Sequence, residues 1–176
     1  MTKNELPSNI AIFPLSNAIF FPRTILPLNI FEDRYLQLVS DCMKKDRMFG
    51  MIQPKSIASK NIEVYKVGCL GKIISFNETN DNRFIISLSG ISRFKIKEEI
   101  ADRKLYRNFR VNYDDFLDDL VNNKKNIIKL NKENLLKKVK LYFNKINYSI
   151  EMNELAQIKL DQLINTVCMI SPFSMG

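Results

Sequence analysis

The sequence predicts an α+β protein: a small, partly closed β-barrel with one inserted helix, followed by a C-terminal helical subdomain. Three observations lead there. Proline interrupts short runs of Ile, Leu and Phe near the N-terminus, hydrophobicity alternates with period two from Gly68 onward, and the last third returns to a helical period.

Within residues 10–36, Pro14, Pro22 and Pro27 each lack an N–H and fix φ, so none belongs in the middle of a fully paired strand. The apolar runs between them are too short for helices and too rich in Ile and Phe for open loops. They read as two short strands with a proline-bounded corner, the second running into a helix at about Phe31. Across residues 32–46, Tyr35, Leu38, Val39, Cys42 and Met43 make the i, i+3, i+4 stripe of an amphipathic helix. Met48–Ile52 reads as a strand stopped by Pro54. Further on, Phe84, Ile86 and Leu88 alternate with Ser87 and Ser89, and Phe94 and Ile96 with Arg93, Lys95 and Lys97. The polar run 77–82 is a hairpin loop. Gly68, Gly71 and Gly90 fall at strand junctions, where a barrel bends or bulges.

The acidic cluster Asp114–Asp119 marks the expected boundary, with the barrel at 1–115 and the helical subdomain at 116–176. Carboxylates ahead of helical sequence are favoured by the helix dipole. Ile128, Leu135, Val139, Tyr142 and Ile146 then share one helical face, with Lys129, Lys137, Lys140 and Lys145 off it. Met152, Ala156, Leu160, Leu163 and Val167 make a second face. Two amphipathic helices packed as a hairpin are therefore expected. Ser171 and Pro172 are an N-cap and first-turn pair, yet only four residues follow them. The expectation is that a final helix is missing, either lost or present in a longer native protein.

A chain of 176 residues with 45% hydrophobic content can bury one core, or one core and a helical annex. It carries no signal-peptide pattern and no apolar run near the roughly 18 residues that span a bilayer, so a cytoplasmic protein without membrane contact is expected. Cys42, Cys69 and Cys168 are scattered and odd in number, and there is no histidine. A zinc site would need all three thiolates plus carboxylates, so the cysteines read as reduced thiols, with no metal and no cofactor. The net charge of +8 is concentrated: residues 121–145 hold eight lysines against one acid, Glu133. Such a cluster fits an anionic partner. The stronger reading is a solvated face in a chain rich in Lys, Asn and Ile.

Enzymatic chemistry finds little footing. Glycines at 50, 68, 71, 90 and 176 never take the spacing of a phosphate-binding loop. Without histidine, Ser-His or Cys-His activation of a nucleophile is impossible. A Ser-Lys pair is formally available, but nothing singles one out. The neighbouring carboxylates Glu98 and Glu99, like Asp114 and Asp115, point to opposite faces of an extended chain and make no acid–base dyad. A binding protein rather than an enzyme is expected.

Several motifs carry a family resemblance: Phe13-Pro14-Leu15, Phe20-Phe21-Pro22, Leu26-Pro27-Leu28 and the run Ile30-Phe31-Glu32-Asp33-Arg34-Tyr35. Residues 49–54, 67–72 and 83–94 continue the match in order and spacing. The chain resembles the N-terminal, substrate-binding domain of the Lon protease family over roughly residues 10–170, in the form that stands alone as a small bacterial protein. One departure is Asn29, where such members often carry His. The resemblance implies a PUA-like barrel and absence of Lon's ATPase and Ser-Lys peptidase parts. It also implies recognition of exposed or unfolded polypeptide segments.

On that footing Phe20, Phe21 and Pro22 are candidate polypeptide contacts, since a proline-bounded corner leaves neighbouring aromatics near the surface; equally, Phe20 or Phe21 plugs the barrel end. Arg34 and Tyr35 match the family motif, as contacts or as residues that fasten the helix to the barrel. An adaptor or holdase of protein quality control is the leading reading. RNA binding through Lys124, Lys125, Lys129 and Lys132 is the alternative, weakened because the charge lies on the helical annex, without interleaved aromatics for base stacking. A third reading has the domain acting on Lon protease itself.

Overall fold

The two strands that the early prolines bracket are β1 (Asn9–Pro14) and β2 (Ile25–Ile30). They open a first compact unit that runs to residue 122; a second covers 123–174. A computed structural model describes residues 3–16, 18–55, 63–121 and 131–171. After β2 come α1 (Asp33–Met43), β3 (Met48–Ile52), β4 (Val67–Glu78), β5 (Phe84–Ile100) and β6 (Arg107–Asn112).

The strands form one sheet in the order β2-β5-β4-β3-β1-β6, and a further β5–β6 pairing closes five of them into a ring. Only β1 and β3 run parallel. β2 stays outside the ring as an edge strand on β5, which is why it tolerates Pro27 at its centre, opposite Ser87. The α+β class with a partly closed six-stranded sheet is as the sequence predicts.

β5 is long because it serves two neighbours. It pairs with β2 through residues 84–89 and with β6 through 95–100. Between them, loop backbone takes over: Arg23 N donates to Gly90 O and Gly90 N to Thr24 O, each at 2.9 Å. Further along, the Arg93 N–H donates to Asp119 Oδ2 at 2.9 Å. The gap in strand pairing is therefore satisfied by a corner and a carboxylate.

Phe94, fully buried, centres the barrel core with Ile10, Ile12, Leu70 and Phe109. A Cβ at Gly50 or Gly68 would lie 2.8 or 2.5 Å from its ring. No described glycine has a positive φ. Gly71 and Gly90 face each other at a register shift between β4 and β5, a bulge of the kind the sequence predicts, whereas Gly68 sits within a strand. At Gly68 close approach to the Phe94 ring, rather than the expected bending, is what requires glycine.

Helix α1 buries Tyr35, Leu38, Val39 and Cys42 as its stripe predicts. It ends at Met43, earlier than the sequence suggests, in a turn where Arg47 takes a φ of 60° and returns its N–H to Cys42 O. Its outer side is tied to the β5–β6 connection. Asp41 Oδ2 accepts from Lys104 Nζ at 2.8 Å and Tyr106 Oη at 2.9 Å, and Gln37 Oε1 accepts from Leu105 N. The hydrogen bond from Lys104, against some desolvation and with help from Tyr106, holds the Asp41 carboxyl below the ordinary aspartate range. A depressed folded-state pKa gives stability that is complete above the unfolded value, near 3.8, and is lost as pH falls through the folded value. In urea titrations, Asp41→Asn is expected to cost about 1–3 kcal/mol at pH 7, with the gap to the parent closing below about pH 4.

The acidic segment Asp114–Asp119 forms 3-10 turns in the first unit, and residues 122–130 that follow it lie outside the described residues. Its Asp119 grips Arg93 of β5, so the first unit extends past the 115/116 boundary expected from the sequence. The second unit contains α2 (Lys132–Lys145), α3 (Met152–Gln157) and α4 (Leu160–Ile170). Asn131 caps α2 by accepting from Glu133 N and Asn134 N. Among the described residues three helices thus replace the expected two, because Ile158 and Lys159 are extended and divide the second. The core is Val139, Phe143, Leu155 and Leu163. Tyr142, Ile146 and Ala156, assigned inward on sequence, are exposed instead. Ser171 ends α4, its hydroxyl donating to Val167 O at 2.7 Å; Pro172 lies outside the described residues.

Candidate binding cleft

Three stretches of chain meet at a cleft of about 540 Å³. The β1–β2 connection and start of β2 supply Ala18, Ile19, Phe20, Phe21 and Leu26. β3 and β4 supply Met51, Ile52, Val67, Gly68 and Cys69. The third is a short ribbon in which Lys55 N donates to Glu63 O at 2.7 Å and Tyr65 N to Gln53 O at 3.0 Å, around a Pro54–Val64 bridge. It supplies Gln53, Lys55, Tyr65 and Lys66. Gln53 Nε2 joins ribbon to corner by donating to Ala18 O at 3.3 Å.

The surface is mostly apolar, and its mouth is open. Ile19, Tyr65 and Val67 are 40%, 45% and 44% exposed, a concentration of accessible apolar area of the kind that marks binding sites. Arg93, which also lines the cleft, is fixed on Asp119: Nε to Oδ2 and Nη2 to Oδ1, both 2.9 Å. Its guanidinium also lies 4.7 Å from the Phe116 ring centroid. The Asp119 hydrogen bond raises the Arg93 pKa further, so this cation is permanent. Cys69 is deeply buried, and burial pushes its thiol pKa up, which keeps it an unreactive wall.

The residues singled out on sequence are divided by the fold. Phe20 and Phe21 both line the cleft. Phe20 is 8% exposed and packs where a Cβ on Gly71 would lie 2.9 Å away, while Phe21 is half-buried. Pro22 is buried and borders Gly90. Arg34 and Tyr35 lie instead in a second hollow of about 330 Å³, with Phe13, Leu28 and Phe31. Tyr35 stacks on Phe13 at 4.0 Å, joining α1 to β1, and burial raises its pKa. Arg34 pairs with Glu32 at 2.7 Å and covers the Tyr35 ring at 4.5 Å.

Of the lysine cluster, Lys124, Lys125 and Lys129 lie outside the described residues; Lys132 Nζ donates to Ala156 O at 2.6 Å. The neighbouring carboxylates have separate partners: Glu98 with Arg110, Glu99 with Arg107, Asp115 with Lys95 and Asp114 with Asn112. Burial lifts the Cys42 thiol to about 12, and its S–H points at Met48 O. Among the described residues no group of three or more His, Cys, Asp or Glu is placed to hold a metal.

The model of the ATP-dependent protease La (Lon) substrate-binding domain matches residues 9–175. The chain belongs to this family. Similar relatives are the Lon proteases of Cytophaga hutchinsonii, 31% identical over 58% of the chain, and Desulfosudis oleivorans, 31% identical over 56%. The chain matches only 13% of the length of each. The fold of this Lon substrate-binding domain is similar to a Lon N-terminal domain protein from Xanthomonas campestris, with a TM-score of 0.56 at 18% identity. That likeness covers 94% of this chain and all of the other. The N-terminal domain of Lon from the Mycobacterium avium complex matches with a TM-score of 0.54 at 11% identity, over 94% of this chain and 82% of the other. Neither the ATPase nor the peptidase part of Lon is found in these residues. Among the described residues no helix is long and apolar enough to cross a membrane.

Sequence reasoning missed Ile19, Met51, Tyr65, Val67, Lys55 and Lys66 as cleft residues. Ile19 adjoins the Phe20-Phe21 pair and was within reach. The others come to the cleft only through the β3–β4 pairing and the ribbon bridge, which no local pattern announces.

Proposed function

We propose that this Lon substrate-binding domain is a non-catalytic module that binds exposed or unfolded polypeptide segments, in the cleft beside Phe20 and Phe21. Its place is in cytoplasmic protein quality control, as an adaptor or holdase that works with Lon protease. The observation that carries the reading is the open, mainly apolar cleft with Ile19, Tyr65 and Val67 accessible at its mouth. Removing such side chains from water when a segment docks is the main source of affinity. The five candidate residues divide accordingly: Phe20 and Phe21 form the wall, Pro22 holds the wall's corner, and Arg34 and Tyr35 keep α1 on the barrel.

The test is a fluorescence-polarisation titration of a labelled, permanently unfolded polypeptide at low and high salt. Saturable binding that salt barely alters is expected. Ile19→Asp, at an exposed position with little core cost, is expected to weaken binding about tenfold or more. Binding abolished by salt would favour an RNA or acidic partner, because phosphate contacts lose affinity steeply as salt rises. Wild-type affinity in Ile19→Asp would move the site away from this cleft.

A further inference from the structure

The cleft is electrostatically one-sided. Lys55, Lys66 and Arg93 line it, and among the described residues no Asp or Glu does. The three cations differ in availability. Arg93 is held by both oxygens of Asp119, whose side chain is only 11% exposed. Lys55 meets Glu63 at 3.2 Å, with both side chains largely in solvent. Such a pair exchanges partners at little cost. Lys66 has no side-chain partner among the described residues, while its carbonyl accepts from Ile96 N at 2.8 Å. The backbone is anchored and the ammonium is left to solvent.

Lys55 and Lys66 stand on the ribbon, whereas Ile19, Phe20, Phe21 and Leu26 come from the separate β1–β2 corner. A ligand that engages both needs apolar groups on one side and negative charge on the other. Extended polypeptide supplies this when apolar and acidic residues alternate, because successive side chains point to opposite faces. We infer that the cleft selects polypeptide segments in which large apolar residues alternate with carboxylates, the carboxylates reaching Lys66 and Lys55. This rests on the polypeptide-binding reading above and gives it a substrate class. A segment with lysines at those positions meets like charge, a penalty that works as discrimination. Among the described residues the only acid beside Lys55 is Glu63, which does not line the cleft.

The experiment compares three fluorescein-labelled peptides of equal length in which Phe alternates with Glu, Ser or Lys, titrated with the full chain. At low salt the Phe/Glu peptide is expected to bind about tenfold or more tightly than Phe/Lys, with Phe/Ser between them. In the double variant Lys55→Gln, Lys66→Gln the Glu-over-Lys ratio is expected to fall below about threefold, with Phe/Ser affinity unchanged. Lys72→Gln with Lys97→Gln removes the same charge at exposed positions that do not line the cleft, and is expected to keep the ratio. Equal affinity for the Glu and Lys peptides overturns the inference and leaves polypeptide binding standing. So does a ratio that survives loss of Lys55 and Lys66. Absence of saturable binding by all three peptides overturns both.

Discussion

Gly90→Ala is expected to destabilise the barrel by about 3 kcal/mol and to weaken polypeptide binding in the same step. The added Cβ would lie 2.1 Å from Phe21 O and 3.1 Å from Pro22 Cα. Both are backbone atoms, so no rotamer change relieves the contact. The corner must move as a body, and two hydrogen bonds tie it to Gly90 itself, from Arg23 N and to Thr24 O. Moving it strains or breaks them and shifts the Phe20-Phe21 wall. Urea unfolding is expected to show a lower midpoint at an unchanged slope, and the polarisation titration a weaker complex. A variant as stable and as competent as the parent would show that the corner is not held as described.

Phe143→Ala is expected to cost about 3–5 kcal/mol, drawn from the core of the second unit. The ring is fully buried and touches those of Tyr142 and Tyr148, at 5.3 and 5.4 Å between centroids. The unit has only four buried apolar side chains among the described residues, so no other large group fills the space. Loss of helical circular dichroism at a lower denaturant concentration is the readout. By contrast Tyr142→Ala, one position away on the exposed side, is expected to change the midpoint little.

The contrast between these neighbours shows how far the sequence can be read. In α1 and in residues 93–97 of β5 the apolar residues stand against strongly polar alternates, so one face is marked and the structure turns that face inward. In α2, Leu135, Leu136, Val139, Leu141, Tyr142, Phe143 and Ile146 surround much of the helix, and a stripe through Tyr142 scores as well as one through Phe143. Only packing against α3 and α4 decides between them. The split between α3 and α4 was hidden for a related reason: the apolar spacing runs across Ile158 and Lys159 without a proline or glycine to mark the break.

For the cleft, local signals disclosed one wall. The prolines drew attention to Phe20 and Phe21 because their effect on the backbone is local. Lys55, Tyr65 and Lys66 carry no such mark, since their position depends on partners far along the chain. The acidic cluster was legible as a landmark but not in its action. Its partner, the Arg93 N–H, becomes available only because β2 and β6 stop short of each other along β5.

The edge strand bearing Pro27 has a consequence for the polypeptide-binding role proposed above. An open sheet edge is a template on which a captured segment adds as a further strand, and then another, until the binder itself seeds a fibre. β2 is that edge here, and at its centre stands a residue with no N–H to offer. A ladder started at either end of the strand is interrupted after a few residues. The prolines that shape the corner thereby leave the domain an apolar cleft without an uninterrupted strand edge on which aggregation could start.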